Sequence, residues 1–247
     1  MKNLYYVLVA FLLSGCNFNN IEITGTAPGM DGGVVSILDL RGQTLFGENI
    51  KSGRFTIRKQ PIPAYGYFTF SVMSGPFPRD FEIYLQPGKY VIDIPQKEGE
   101  YLKITTNSEI QNKLSAYYNF ENSIMDKHRQ EADKWKAKLN DPSIKDLPEA
   151  EFQNITNHIE ASRNREHGLH IAAMDMFIKK YPQNDIVPHI ITNMDYQTDP
   201  YPYYILYKKL SPEAQNTEEG KKVGEELEQL VKDIEAKDKN TSITINQ

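Results

Sequence analysis

The chain has 247 residues and a formal charge of −5 at pH 7, from 28 basic and 33 acidic side chains. This mild acidity argues against binding to nucleic acids and against electrostatic adhesion to membranes, because both are anionic surfaces that attract basic proteins. The single cysteine, Cys16, excludes an intrachain disulfide and a Cys-x-x-Cys redox motif.

The first fifteen residues have the layout of a secretory signal peptide. Lys2 precedes an apolar run over residues 4–13, and the small residues Ser14 and Gly15 follow that run. The run is too short to span a bilayer, because a spanning helix needs about 20 apolar residues. Residues 1–15 are therefore predicted to be a signal peptide that is removed on export.

Leu13, Ser14 and Gly15 come directly before Cys16 and resemble a bacterial lipobox, which a signal peptidase recognises. At such a motif, lipid is attached to the cysteine sulfur and the chain is cut just before it. Each buried methylene contributes about 0.8 kcal/mol, so several acyl chains such as palmitate hold a protein at a membrane stably. We therefore expect Cys16 to be lipidated and residues 16–20 to form a tether.

Residues 21–107 show the period-two pattern of β-structure. Phe81, Ile83 and Leu85 alternate with more polar residues, as in a half-buried strand. Turn signals such as Pro87-Gly88 separate the apolar segments, which predicts an antiparallel β-sandwich or barrel. The predicted strands cover residues 21–27, 34–40, 54–59, 65–73, 81–86, 90–94 and 101–105.

The period changes to that of a helix at Ser108, which is a suitable N-cap. One amphipathic helix is predicted over residues 108–139, and a second ends at Tyr181-Pro182. Because only a short acidic and proline-containing link joins them, these two long helices should pair antiparallel. Apolar stripes define the two helices: Leu114, Tyr118, Met125, Ala132, Trp135 and Leu139 in the first, and Phe152, Ile155, Ile159, Leu169, Ala173, Met176 and Phe177 in the second.

Shorter helices are predicted over residues 185–196, 203–210 and 217–236. Residues 238–247 are polar and lack a core pattern, which predicts a frayed tail. The predicted fold class is therefore α+β. An antiparallel β-sandwich or barrel at residues 21–107 is followed by a C-terminal helical domain at residues 108–237, with a long antiparallel helix pair.

The histidines are the first candidates for a metal or catalytic site. His167 and His170 are three residues apart and can share a helix face, with Glu166 beside them. His158 is about half a turn out of phase with His167, so a third ligand is missing from that face. We predict no metal site and no cofactor, and interpret these histidines as solvated or partly buried helix residues.

No other catalytic motif is present in the sequence. There is no Gly-x-Ser-x-Gly elbow and no glycine-rich phosphate loop between a strand and a helix. Glutamates near the C-terminus form a run typical of a solvated helix face: Glu218, Glu219, Glu225, Glu226 and Glu228. The sequence therefore predicts a protein that is not an enzyme.

Tyrosines are abundant, with 15 in the chain and a cluster over residues 199–207. Such a cluster can form a recognition surface, because tyrosine offers a large contact area at low entropic cost. Its alternative is to pack short helices onto the helix pair, and we favour this second interpretation. Tyr65, Tyr67, Phe68 and Phe70 on one predicted strand allow the same two interpretations, and core packing is again favoured.

Several segments match a known family pattern. They are residues 21–27 (IEITGTA), 53–57 (GRFTI), 81–88 (FEIYLQPG), 90–94 (YVIDI), 177–182 (FIKKYP) and 206–211 (LYKKLS). Over about residues 20–235 the chain thus resembles Bacteroidetes-type lipoproteins with a DUF4369 β-domain and a helical segment. Many such proteins also carry a thioredoxin-like domain with a Cys-x-x-Cys motif, which no position here matches. The resemblance implies the sensing, docking or spacing part of that design.

These features predict a non-enzymatic binding or accessory lipoprotein of the cell envelope, docking a protein, peptide or glycan. An alternative is an in-trans partner of a separate thioredoxin-like oxidoreductase, and a less favoured one is a hydrolase with its site at the domain junction. The expected location is the outer membrane. Residues 17–20 lack an acidic cluster resembling a surface-export signal, which favours the periplasmic face over the cell surface.

Overall fold

A computed structural model of the chain describes the backbone of residues 20–245 and the side chains of residues 20–237. The predicted signal peptide, the lipobox, Cys16 and residues 17–19 of the tether lie outside the described residues. The described residues form two compact units that divide between Ser115 and Ala116. This division falls inside the first long helix rather than before it at residue 108.

The first unit contains two four-stranded β-sheets. One sheet has the strand order β4-β1-β7-β8 and the other β3-β2-β5-β6. Together with the helical region that follows, they confirm the α+β fold class. The strands are β1 Asn20–Thr26, β2 Val34–Leu38, β3 Thr44–Asn49, β4 Arg54–Pro61, β5 Gly66–Met73, β6 Arg79–Leu85, β7 Gly88–Asp93 and β8 Lys103–Thr106.

The core of this unit lies between the sheets. The rings of Phe55 on β4 and Phe70 on β5 meet at 5.9 Å between centroids, although the two strands belong to different sheets. Alternate residues along β1 and β6, such as Ile21, Ile23 and Ile83, are fully buried. The two sheets therefore pack face to face as a sandwich, with the period-two pattern that the sequence shows.

Two features of the sheets differ from the expectation of seven antiparallel strands. Strand β3 was not predicted, because it is an edge strand with mostly exposed residues and therefore needs no apolar alternation. In addition, β1 and β7 pair in parallel, with Ile21 opposite Gly88 and Thr26 opposite Asp93. Strand direction depends on contacts between residues far apart in the sequence, and local periodicity does not encode it.

Gly25 on β1 shows how closely this sheet packs. A Cβ atom at this position would lie 2.1 Å from the carbonyl oxygen of Ile92 and 2.3 Å from the ring of Phe55. No side chain fits there without displacing backbone. The glycine is therefore required by close approach rather than by a turn.

Helix α1, Glu109–Leu139, begins in the first unit. Ser108 Oγ accepts a hydrogen bond from Gln111 N at 3.3 Å, as predicted for an N-cap. The Gln111 side chain accepts from Tyr84 N at 2.6 Å and donates to Ser115 Oγ at 2.9 Å. These bonds tie the first turns of α1 to strand β6, which explains why the units divide within the helix.

The second unit is helical. The long helices α1 and α2 pair antiparallel, because Glu121, His128 and Trp135 of α1 contact residues of successively lower number on α2. This confirms the predicted pair. After α1 come a 3₁₀ turn at Pro142–Asp146, α2 at Glu149–Lys180, α3 at Val187–Thr192, α4 at Pro200–Lys208, α5 at Pro212–Gln215 and α6 at Glu218–Ile245.

The buried stripes of these helices match the predicted ones only in part. Tyr117 is buried in α1, whereas the predicted Tyr118 is only partly so. In α2, Phe152 and Met176 are exposed, although both were placed on the apolar stripe. The last helix continues to Ile245. Residues 238–245, which were expected to be part of a frayed tail, are therefore helical. No proline or glycine stops the helix there.

Candidate functional site

An apolar groove lies between α2 and α4 in the helical unit. It has a volume of about 510 Å³ and is largely open to solvent. We call it the α2–α4 groove. Its lining residues are Gly168, Ile171, Ala172 and Asp175 from α2, and Asp199, Tyr201, Pro202, Ile205, Leu206 and Lys209 from α4 and its two flanking positions.

The groove exists because α4 turns only some of its apolar side chains inward. Pro200, Tyr203 and Leu206 are buried, whereas Tyr201 is 37% exposed and Ile205 is 54% exposed. Tyr201 and Ile205 are one helical turn apart and form a ridge along the groove. The favoured prediction of core packing for residues 199–207 therefore holds for Tyr203 but not for Tyr201.

Gly168 opens the floor of the groove. It lies in the middle of α2, where glycine costs about 1 kcal/mol of helix stability relative to alanine. A Cβ atom at this position would meet no atom within 4 Å. Unlike Gly25, this glycine is therefore not required by packing within the described chain, and it leaves the α2 backbone accessible from the groove.

The two ends of the groove carry opposite charge. At one end, Asp175 accepts hydrogen bonds from Lys179 at 2.5 Å and from Lys209 at 2.7 Å, and these bonds lower the pKa of its carboxyl. Two lysines thus surround one carboxylate, which leaves an excess positive charge. At the other end, Asp199 is exposed and its side chain caps no backbone N–H of α4.

The groove was not identified from the sequence. Its signals were present in residues 199–207 and in Gly168, a helix glycine without a turn signal around it. However, the pattern alone does not show which tyrosines point outward, because that depends on how α4 is rotated against α2. A helix of nine residues has apolar residues on several faces, so its period gives no clear buried stripe.

The structure does not bring the candidate histidines together. His158 stacks on Trp135 with 3.9 Å between ring centroids, and its Nδ1 lies 2.8 Å from the Asn154 carbonyl oxygen. His167 is exposed, and its ring lies 6.2 Å from that of Tyr203. Across the part of the chain that the structure describes, no three His, Cys, Asp or Glu side chains converge as metal ligands.

His170 instead belongs to a buried polar cluster between α1 and α2. Glu121, which is 7% exposed, accepts hydrogen bonds from Tyr117 Oη and from His170 Nδ1, each at 2.9 Å. The bond to Glu121 raises the pKa of His170, and burial raises that of Tyr117 well above its usual range. The sequence flagged His170 but not Glu121, which lies 49 residues away on the other helix.

Another histidine of this helix pair, His128, is buried, whereas His170 is only partly so. His128 on α1 places Nε2 3.3 Å from Ser162 Oγ on α2. The contact fixes the pairing of the helices near their middle. Glu121, His128 and their partners place polar groups in the interface of the long helices, whereas the lining of the groove is mainly apolar.

The aromatic residues of strand β5 are divided in the same way as those of α4. Phe68 and Phe70 are buried in the sandwich core, whereas Tyr65, just before the strand, is 53% exposed. Tyr67 is partly buried and makes an edge-to-face contact with Tyr84 at 5.1 Å. Core packing is thus the role of the two phenylalanines.

Comparisons with known proteins assign neither a family nor a function to the chain. No family model, no curated protein and no solved structure matches the chain. The resemblance to DUF4369 lipoproteins therefore stays a prediction from sequence. Within the described residues, no helix combines the length and the apolar character needed to cross a membrane.

Proposed function

We propose that this protein is a lipid-anchored, non-enzymatic docking module of the bacterial cell envelope, in which the α2–α4 groove receives an apolar segment of another protein chain. The groove is the observation that carries the proposal. Its ridge exposes part of Tyr201 and part of Ile205 to water, and burying exposed apolar surface contributes about 25 cal/mol per Å². Docking would therefore be favourable at this place.

The shape of the groove supports a protein segment as the occupant. It is largely open to solvent and runs beside a helix, and its charged residues lie at the ends rather than in the centre. An apolar centre with a polar rim is the usual arrangement of a protein interface. A side chain entering above Gly168 would reach the backbone of α2 without meeting a Cβ atom.

The anchor of the proposed module is Cys16. Leu13, Ser14 and Gly15 supply the expected processing signal, and lipid on Cys16 would hold the module at the outer membrane, with the periplasmic face favoured. Metabolic labelling with radioactive palmitate tests this part. We expect label on the full chain and none on a Cys16→Ser variant; label on both, or on neither, would contradict the anchor.

The docking part is tested by photocrosslinking in intact envelopes. A benzophenone amino acid replaces Ile205 in the groove or, as a control, Leu40, which is apolar and 89% exposed in the β-unit. We expect a discrete protein adduct from position 205 and none from position 40. An adduct with an envelope thioredoxin-like protein would support the in-trans oxidoreductase partner, whereas equal patterns from both positions would contradict docking at the groove.

A further inference from the structure

We infer that the occupant of the α2–α4 groove is the same groove of a second copy of this chain, in a two-fold symmetric dimer. This inference rests on the proposed function, in which the groove is a protein-docking site. It adds the identity of the partner, and it follows from the distribution of charge and shape along α4.

The charges at the two ends of the groove are self-complementary. Asp199 comes directly before α4, and Lys209 comes directly after it. A two-fold axis perpendicular to α4 pairs the same surface with itself in the opposite direction. It therefore places Asp199 of each copy beside Lys209 of the other, so that two opposite-charge contacts form at once.

The balance of charges around Lys209 fits this arrangement. Lys209 and Lys179 share the single carboxylate of Asp175, so one positive charge is left over at this end. Asp199 of a second copy would balance it. An interface with opposite charges at its two ends also excludes the reverse, parallel arrangement, in which like charges would face each other.

The shape of the groove is self-complementary as well. Each copy has a ridge, formed by Tyr201 and Ile205, beside a groove whose floor is open at Gly168. Under the same two-fold axis, the ridge of one copy enters the groove of the other, as in the packing of ridges into grooves between helices. Ile205, near the middle of α4, then lies close to the axis.

Single-cysteine crosslinking tests the dimer directly. The full chain is expressed with Ile205→Cys, and envelope membranes are treated with copper phenanthroline; the chain without this substitution and a Leu40→Cys variant serve as controls. Since Cys16 is the one native cysteine and is predicted to be acylated, background crosslinking should be absent. We expect a disulfide-linked dimer from position 205 alone.

Charge reversal tests the two-fold geometry. Asp199→Lys or Lys209→Glu, each combined with Ile205→Cys, replaces two opposite-charge contacts by two like-charge contacts and should lower the dimer yield about tenfold. When the two variants are co-expressed with tags of different size, the mixed dimer regains both opposite-charge contacts. We therefore expect the mixed dimer to form at the parental yield, while each variant alone forms about a tenth of that yield.

The outcomes separate this inference from the proposed function. Failure of Ile205→Cys to form a dimer overturns the second copy as occupant. If the benzophenone at position 205 then captures a different protein, the docking function stands without the dimer. A dimer of undiminished yield in both charge variants would overturn the two-fold arrangement.

Discussion

The two units of this protein differ in which polar side chains they bury, because among the described residues the helical unit encloses glutamate and histidine side chains and the β-unit does not. In the β-unit, an apolar core is enclosed between two sheets, although Leu40 and Phe77 are exposed outside it, and glycine at position 25 is imposed by close packing. In the helical unit, Glu121 and His128 are buried at the interface of α1 and α2, while Tyr201 and Ile205 are exposed. Tyr201 and Ile205 line one groove, and an apolar groove is a typical contact surface, which is why we propose docking on the helices.

The largest effect is expected from the enclosed core. Phe70→Ala removes a fully buried ring that contacts Phe55 across the two sheets, so it should lower the free energy of unfolding of the β-unit by about 3–5 kcal/mol. Hydrogen exchange of amides in β1 and β5 measures the change. Loss of less than about 1 kcal/mol would show that the core is not closed in the way described.

The buried polar cluster should give the next largest effect. Glu121→Ala leaves the Tyr117 hydroxyl buried without its acceptor, which costs about 1–3 kcal/mol. The control is Glu131→Ala on the same helix, whose ion pair with Arg165 is exposed and contributes less than about 1 kcal/mol. The fluorescence of Trp135, the one tryptophan, reports unfolding of the helical unit. Equal effects of the two variants would contradict the assigned role of Glu121.

The same cluster should make the helical unit sensitive to pH. The pKa of His170 is raised, chiefly by its hydrogen bond to Glu121, so the folded state binds the proton more tightly than the unfolded state. The stabilisation is complete below the unfolded pKa of about 6.5 and is lost as the pH rises through the higher folded pKa. Glu166 supports this shift and Arg129 opposes it.

Urea unfolding followed at Trp135 between about pH 6 and pH 9 measures this dependence. We expect the midpoint to fall as the pH rises, and we expect this component to disappear in His170→Gln. A midpoint that rises over the same range in the parent chain would show that the pair does not stabilise the fold.

The smallest effect is expected at Gly168, and Gly25 provides the contrast. Gly168→Ala adds a Cβ atom in open space and should stabilise α2 by about 0.5–1 kcal/mol, because alanine is the better helix former. Gly25→Ala should destabilise the β-unit, since its Cβ would collide with the Ile92 carbonyl. Hydrogen exchange of the amides in each unit measures the change in its free energy of unfolding. A change of the same sign in both variants would contradict this account of the two glycines.

Much of this fold follows from local pattern. The alternation of Phe81, Ile83 and Leu85, the Ser108 cap and the ends of the long helices were all predictable, because each depends on neighbouring residues. Strand β3 and the parallel pairing of β1 with β7 were not, because an exposed edge has no apolar period and strand direction depends on distant contacts. The same limit applies to the site, since the pairing of His170 with Glu121 and the outward direction of Ile205 depend on how helices are placed against each other.

Photocrosslinking from position 205 in a Gly168→Leu variant tests the central claim most directly. Leucine at position 168 places a side chain over the floor of the groove; its Cβ meets no atom of the chain, and leucine is a better helix former than glycine, so the helical propensity of α2 should rise. Docking through the groove predicts that the adduct formed by the parent chain is lost although the thermal unfolding of the variant is unchanged or raised. An adduct of equal yield in the filled groove would contradict the assignment of the α2–α4 groove as the docking site.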